Sequence, residues 1–159
     1  MTELIESLED DPDIRVLKRI KLRERYHEPD GSQVLKGLYV DCETAGLCTS
    51  TDGVTELALI PFSYLADGRI INVHEEAALF SLNDPGHPIP PEVTEITGIT
   101  DAMVAGQSID ADRVGELVQK ADIVLAHNAS FDRPILERYW PVFSESAWGD
   151  FRQNCVSSY

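Results

Sequence analysis

The apolar run at residues 122–126 (DIVLA) constrains the fold most, because a short stretch without alternation predicts a strand buried on both faces. Helical patterns lie on both sides of it, over residues 109–120 and from Ser130, which can cap the helix, to residue 139. Strand patterns precede them, at residues 37–42 and in a hairpin over residues 57–82. Strands first and then alternating helix and strand predict an α/β fold with a mixed sheet flanked by helices.

The predicted hairpin has arms at residues 57–65 and 69–82, joined through Ala66-Asp67-Gly68. Pro61 lies inside the first arm and has no N–H to donate to a ladder, which predicts an edge strand or a bulge. After the hairpin, residues 91–97 form a short predicted helix that Gly98 ends.

Residues 1–36 are predicted to be an N-terminal extension, distinct from a core over residues 37–159. Helical spacing runs over residues 3–25 with a break at Asp11-Pro12-Asp13, and residues 28–32 (EPDGS) form a turn or linker. The extension is compatible with a docking helix and with a cover for a sheet edge.

The chain carries 28 acidic against 13 basic residues, a formal charge of −15. This balance argues against indiscriminate binding to nucleic acid, because phosphate affinity comes from basic side chains. It is compatible with an enzyme that binds phosphates through metal ions. Six of the bases lie within residues 15–25, where a solvated helix face and a nucleic-acid or partner contact are both open.

No apolar run reaches the roughly 20 residues that span a bilayer, and the N-terminus is acidic where a secretory signal is basic. We therefore expect a cytoplasmic protein without membrane contact. The three cysteines include no CxxC pair, which favours free thiols over a disulfide framework or a zinc site.

Two carboxylates, Asp41 and Glu43, end the strand predicted at residues 37–42. Residues i and i+2 of a strand share a face, so these side chains project together and Cys42 points the other way. Two such charges within 4 Å repel by about 4 kcal/mol at an effective dielectric of 20. A divalent cation with a preference for oxygen, magnesium or manganese, would turn that repulsion into binding. A solvated or capping pair is the alternative.

A second stretch, residues 124–136 (VLAHNASFDRPIL), places another acid near the end of a buried strand. The strand ends at residue 126, and Asp132 falls in the first turn of the next helix. The helix dipole favours an anion there by typically 0.3–1 kcal/mol. Asp132 is thus either a third metal ligand or simply an acid that stabilises the helix N-terminus.

Together these stretches resemble the DEDD, DnaQ-like 3′–5′ exonuclease superfamily. Residues 41–47 (DCETAGL) are similar to its first motif, D-x-E-T-T-G, and residues 128–132 (NASFD) to its second, N-x-x-F-D. Residues 90–92 and 97–100 are similar to the P-x-E and T-G-I-T segment between them. The motifs keep their order and spacing across residues 37–139.

The resemblance implies an RNase H-like fold with two divalent cations, Mg²⁺ or Mn²⁺. Asp41 would contact both ions, Glu43 and Asp132 would each complete one shell, and Glu43 could also orient the attacking water. In the family, the terminal nucleotide is held by the segment after the first motif and by T-G-I-T. The corresponding substrate-binding residues here are Thr44, Gly98, Ile99, Thr100 and Asn128, for which helix capping, backbone anchoring and core packing are the alternatives.

The chain departs from the family at the third motif, a histidine followed five positions later by an aspartate. No histidine follows His127. The spacing of His127 and Asp132 imitates that motif, but the pair belongs to the second one, and we expect His127 to be a structural histidine. Ala45 replaces the second threonine of the first motif. We expect a core cut off before its last helices, with weak or no hydrolysis.

Two functions remain open. The first is a metal-dependent 3′–5′ exonuclease of proofreading or repair type, resembling the epsilon subunit of bacterial replicative polymerases. Its partners would be a nucleic acid with a free 3′ end, single-stranded DNA in particular, and a DNA polymerase. The second is a non-catalytic module on the same fold that binds a strand end or a polymerase. A metal-dependent phosphatase would leave the T-G-I-T segment unexplained.

Overall fold

A computed structural model describes residues 13–16, 21, 23 and 25–151. Its centre is a mixed six-stranded sheet with the path β3-β2-β1-β5-β6, in which β4 pairs with β2. The strands β1 to β3 are antiparallel, whereas β5 runs parallel to β1 and β6 parallel to β5. The bounds are Val34–Thr44 (β1), Val54–Leu65 (β2), Ile70–Val73 (β3), Leu79–Leu82 (β4), Ile123–Ala126 (β5) and Trp148–Asp150 (β6).

Among the described residues, four α-helices connect or follow these strands: Pro91–Thr97 (α1), Asp101–Val104 (α2), Ala111–Gln119 (α3) and Ala129–Tyr139 (α4). Short 3₁₀ turns lie at Glu75–Ala77 and Pro141–Glu145. The predicted mixed sheet with flanking helices is confirmed, as is the helix that ends at Gly98, whose φ of 75° is the left-handed conformation glycine adopts freely.

The hydrophobic core lies on one face of the sheet, under α3 and α4. Leu38 and Val40 of β1 point into it and alternate with the less buried Tyr39 and Asp41 on the other face. From the helices come the predicted apolar positions of α3 and two fully buried residues of α4, namely Val114, Leu117, Val118, Ile135 and Leu136. This packing fixes α3 and α4 against the strand that carries the paired carboxylates.

The predicted second arm of the hairpin, residues 69–82, is wrong in one respect: it is two short strands separated by a 3₁₀ turn. Both pair with the same side of β2, at residues 62–64 and 56–59. Pro61 lies between those two stretches, and its carbonyl accepts the N–H of His74 at 2.9 Å. A strand residue directs its N–H and C=O to the same side of the strand. Pro61 has no N–H to donate on that side, and this is where the pairing of β2 with β3 and β4 is interrupted. β2 itself is an interior strand, so the predicted edge is also wrong.

The predicted cap at Ser130 is corrected as well. Asn128 occupies the N-cap position of α4, and Ser130 lies inside the first turn with its hydroxyl donating to Asn128 Oδ1 at 2.6 Å. The helix predicted over residues 3–25 falls mostly outside the described residues. Near its end, the Tyr26 N–H donates to the Ile71 carbonyl at 2.8 Å, so this part of the chain borders β3. Within the part of the chain that the structure describes, no helix is long and apolar enough to cross a membrane.

Candidate active site

The paired carboxylates lie at the carboxyl end of β1, the edge that β5 also reaches. Val40 pairs with Ala126, so Asp41 and Glu43 extend past the last paired residue of β5. Asp41 is exposed and Glu43 is half-buried, whereas Cys42 between them is buried on the core face. The predicted alternation of the two faces is therefore confirmed.

Asp132 reaches this edge from the first turn of α4 and is only 5% exposed. The Cys42 thiol donates to Asp132 Oδ1 across 3.4 Å, a contact that joins β1 to α4. Cys42 thus faces the helix while its two neighbours face away from the core. The sequence showed no sign of this contact, because it depends on how the helix packs.

Burial and neighbouring carboxylates disfavour the ionised forms of Glu43 and Asp132. Burial raises the pKa of Glu43, and the negative charges of Asp41, Glu56 and Asp132 raise it further. Burial also raises the pKa of Asp132, with Asp41 adding to the effect while the hydrogen bond from Cys42 opposes it. The same surroundings raise the pKa of the Cys42 thiol well above its usual range, so it stays protonated and inert.

No ion pair compensates these acids within the described part of the chain. Among the described residues, no group of three or more histidine, cysteine or acidic side chains lies close enough together to hold a metal ion. The arrangement is a set of mutually repelling carboxylates without a cationic partner. Chemically, such a set suits hard divalent cations, which bind carboxylate oxygens.

A groove of about 530 Å³ adjoins the carboxylates and separates the end of β1 from α1. Thr44 lines it and donates its hydroxyl to the Gly46 carbonyl. Two apolar side chains on its wall are almost fully exposed, Leu47 at 88% and Ile96 at 85%. Phe131 lines it from α4 and also packs against the core. Exposed apolar side chains beside a charged site are typical of surfaces that contact bases or other flat groups.

Gly46 has no room for a side chain. A Cβ there would lie 2.2 Å from Asp52 Oδ2, and the same oxygen accepts the Cys48 N–H at 2.7 Å. Asp52 therefore closes the loop that presents Leu47 to the groove. Neither Leu47 nor Ile96 was singled out for a role from the sequence, since only the packing of α1 opposite β1 brings them together.

The other predicted substrate-binding residues lie in varied surroundings. Gly98 ends α1, Ile99 is buried beside Ala45, and Thr100 is the exposed N-cap of α2 without a side-chain capping bond. Asn128 begins α4 and holds the Ser130 hydroxyl. Of the five, only Thr44 lines the groove. Their roles toward a substrate remain predictions.

The prediction that His127 is a structural histidine is wrong. It is exposed directly after β5, and no hydrogen bond to its ring is found among the described residues. The pairing of Val40 with Ala126 places it next to Asp41 in the register of the sheet. An exposed histidine beside the carboxylates is part of the site's surface and not of the core.

A sequence model of the RNase_T family, described as "Exonuclease", matches residues 38–149. Among curated proteins, the "DNA polymerase III PolC-type" of Listeria monocytogenes is 37% identical over 98 residues, 58% of this chain and 6% of that protein. The PolC-type polymerase of Lacticaseibacillus paracasei is 33% identical over 115 residues, 71% of this chain and 7% of that protein. The chain therefore spans only a small fraction of the curated relatives it matches.

Solved structures of exonuclease I share the fold. A product-bound form superposes with a TM-score of 0.59 at 20% identity, over 77% of this chain and 31% of the other. An Escherichia coli exonuclease I in complex with a dA16 oligonucleotide gives a TM-score of 0.56 at 19% identity, over 74% and 28%. The expected RNase H-like architecture of these exonucleases is thereby confirmed.

Proposed function

The chain belongs to the DnaQ-like 3′–5′ exonuclease family, and we propose that its site hydrolyses phosphodiester bonds at a nucleic-acid 3′ end. The observation that supports the proposal is the position of Asp41, Glu43 and Asp132 near the carboxyl ends of β1 and β5, beside a groove. No ion pair compensates these acids among the described residues. Single-stranded DNA is the proposed substrate, and a DNA polymerase is the proposed partner, by analogy with the PolC-type relatives.

We assign Asp41, Glu43 and Asp132 as the residues that hold two divalent cations, Mg²⁺ or Mn²⁺. The chemistry of the donors supports this, because carboxylate oxygens are the ligands of hard divalent cations, and a positive charge would offset the effects that raise the pKa of Glu43 and of Asp132. When bound, paired ions of this kind activate water near neutral pH and stabilise the leaving oxygen of phosphoryl transfer. Glu43, half-buried and facing the groove, orients the incoming water.

We propose that the groove positions the 3′ end of the nucleic-acid strand. Leu47 and Ile96 lie on its wall and would contact the face of the terminal base, since base stacking on apolar side chains does not depend on sequence. Thr44, Gly98, Ile99, Thr100 and Asn128 are proposed to fix the terminal nucleotide. With a net charge of −15, the protein attracts the phosphate backbone of a nucleic acid only weakly. The groove and the cations would therefore hold the 3′ end of the nucleic acid.

We propose that hydrolysis by this chain is weak. The histidine of the family's third motif would act as general base, and none follows His127 here. A small-molecule base added to the solution should then raise the rate of hydrolysis. Imidazole is the matching small molecule, because it is the side chain of histidine without its backbone.

The test follows a 5′-labelled single strand with Mn²⁺, with and without imidazole, for wild type and Asp41→Ala. Slow, stepwise shortening from the 3′ end is expected, accelerated by imidazole and absent in Asp41→Ala. Glu95→Gln, which removes an exposed acid of α1, is the control and should match wild type. Internal cleavage, or shortening that persists in EDTA or in Asp41→Ala, would refute the proposal.

The second candidate, a non-catalytic module that binds strand ends, is favoured by the absence of a closed metal cluster among the described residues. It predicts that a 3′-terminal strand binds in EDTA with a measurable salt dependence. The exonuclease predicts binding that requires the cation. Fluorescence anisotropy of a labelled strand across salt concentrations, with EDTA or Ca²⁺, separates the two.

A further inference from the structure

We propose that this protein has a second ligand site, remote from the carboxylates, which binds a small phosphomonoester with an apolar or aromatic body, as in a nucleoside monophosphate. The site is a cavity of about 280 Å³ between the start of β1, α3 and the 3₁₀ turn at Glu75–Ala77. Lys36 lines it, five residues before Asp41 on β1, so about 16 Å of strand separates the two sites.

The cavity concentrates positive charge in an acidic chain. Between residues 26 and 151 there are six lysines and arginines, and three of them line this cavity: Lys36, Arg113 and Lys120. Among the described residues that line the cavity, Glu76 is the one acid, so their net formal charge is +2. That charge complements the dianion of a phosphomonoester better than it complements a single carboxylate.

The three basic side chains of the cavity differ in how firmly they are held in place. Arg113 is anchored, because it donates to the Ala77 carbonyl at 2.8 Å and to Glu116 Oε2 at 3.1 Å. Three of its five N–H donors remain for a ligand. Lys36 and Lys120 have exposed ammonium groups without an ion-pair partner among the described residues. A fixed guanidinium with two free lysines is a combination that proteins use for phosphate.

A hydroxyl completes the polar part of the wall. Ser63 Oγ lies 2.7 Å from His74 Nε2, and His74 Nδ1 lies 3.6 Å from Glu76 Oε1. If the ring donates through Nε2, the serine hydroxyl hydrogen is free for a phosphate oxygen.

The remaining wall is apolar and suits an organic body. Pro61, Leu117 and Ala121 contribute to it; Leu117 is buried, and Pro61 and Ala121 are half-buried. The volume falls at the small end of ligand pockets, so a mononucleotide-sized molecule fits better than a polymer. The site does not depend on the proposed exonuclease activity.

The test is titration of the ¹⁵N-labelled chain of 159 residues with dTMP in EDTA, followed by amide chemical shifts. Shifts are expected around Lys36, Ser63, Arg113 and Lys120 and not around Asp41. Lys36→Met and Lys120→Met should each weaken binding about tenfold, as expected for loss of a charge-assisted contact. Both lysines are exposed, so the variants should keep the wild-type spectrum elsewhere.

Lys21→Met is the matched control, since Lys21 is exposed and does not line the cavity. It removes the same charge and should leave the affinity unchanged. Thymidine and inorganic phosphate should each bind at least tenfold more weakly than dTMP, because each lacks half of the ligand. Shifts confined to the carboxylate edge, equal weakening by Lys21→Met, or equal binding of inorganic phosphate would overturn the proposal.

Discussion

Replacing an acid of the proposed cation site should stabilise this protein when no divalent cation is present. Asp41 and Glu43 share one face of β1, about 7 Å apart at the backbone. Coulomb's law gives a repulsion of about 2.4 kcal/mol at an effective dielectric of 20 and about 0.6 kcal/mol at 80. Asp41 is exposed and Glu43 only half-buried, so screening brings the expected gain from Asp41→Asn to about 1 kcal/mol.

For a chain of this size, that gain corresponds to a rise in Tm of about 2–4 °C. The assay is thermal unfolding of wild type, Asp41→Asn and the control Glu95→Gln, in EDTA and in Mn²⁺. In EDTA, Asp41→Asn should unfold at the highest temperature. In Mn²⁺, wild type should gain most, because ligand binding to the folded state stabilises by about 2.7 kcal/mol at 100 times Kd. A lower Tm for Asp41→Asn in EDTA, or an equal rise in Glu95→Gln, would refute the electrostatic reasoning.

Three further predictions concern packing, capping and pH. Leu136→Ala should lower the free energy of unfolding in urea by about 2–5 kcal/mol because Leu136 is fully buried, and a loss under 1 kcal/mol would contradict the packing of α4. Asp110→Ala should lower it by about 1 kcal/mol, since the Asp110 carboxylate accepts two N–H groups at the start of α3, while Asp110→Asn should retain most of the stability. The raised pKa of Asp132 means that the folded state keeps a proton which the unfolded chain releases near pH 4, so metal-free wild type should lose stability as pH rises through that window. Asp132→Asn should show a smaller loss, the remainder coming from Glu43, whose pKa is also raised, and a pH slope equal to that of wild type in urea unfolding would argue against this role of Asp132.

Much of the fold was predictable because its signals are local. The run at residues 122–126 is apolar without alternation, as a strand buried on both faces requires, and it is β5. Val114, Leu117 and Val118 recur at helical spacing and all face the core from α3. The alternation that places Asp41 and Glu43 opposite Cys42 follows from the period of a strand alone.

The wrong predictions concern features that depend on contacts between segments distant in the sequence. The second arm of the hairpin breaks opposite Pro61, because both of its strands pair along one side of β2. The sequence predicted a cap at Ser130, whereas the helix begins at Ala129 and Asn128 occupies the N-cap position without a side-chain capping bond. Similarly, His127 carries no local signal of exposure. It lies at the surface because β5 ends one residue before it.

The candidate site was predictable in its acids and not in its surroundings. The roles of Asp41, Glu43 and Asp132 come from motif spacing and stay a prediction. Leu47 and Ile96 come from segments about 50 residues apart that meet only in the folded chain. The contact of Cys42 with Asp132 likewise joins residues 90 positions apart. Long-range contacts of this kind are fixed by the packing of whole elements, which a single sequence does not display.

The central claim is that three carboxylates form the cation site, and Mn²⁺ binding measured by electron paramagnetic resonance tests it most directly. Wild type should remove free Mn²⁺ from solution, and Asp41→Asn, Glu43→Gln and Asp132→Asn should each weaken this binding at least tenfold. Glu95→Gln should bind as wild type does. Equal Mn²⁺ affinity in wild type and all three site variants would contradict the account.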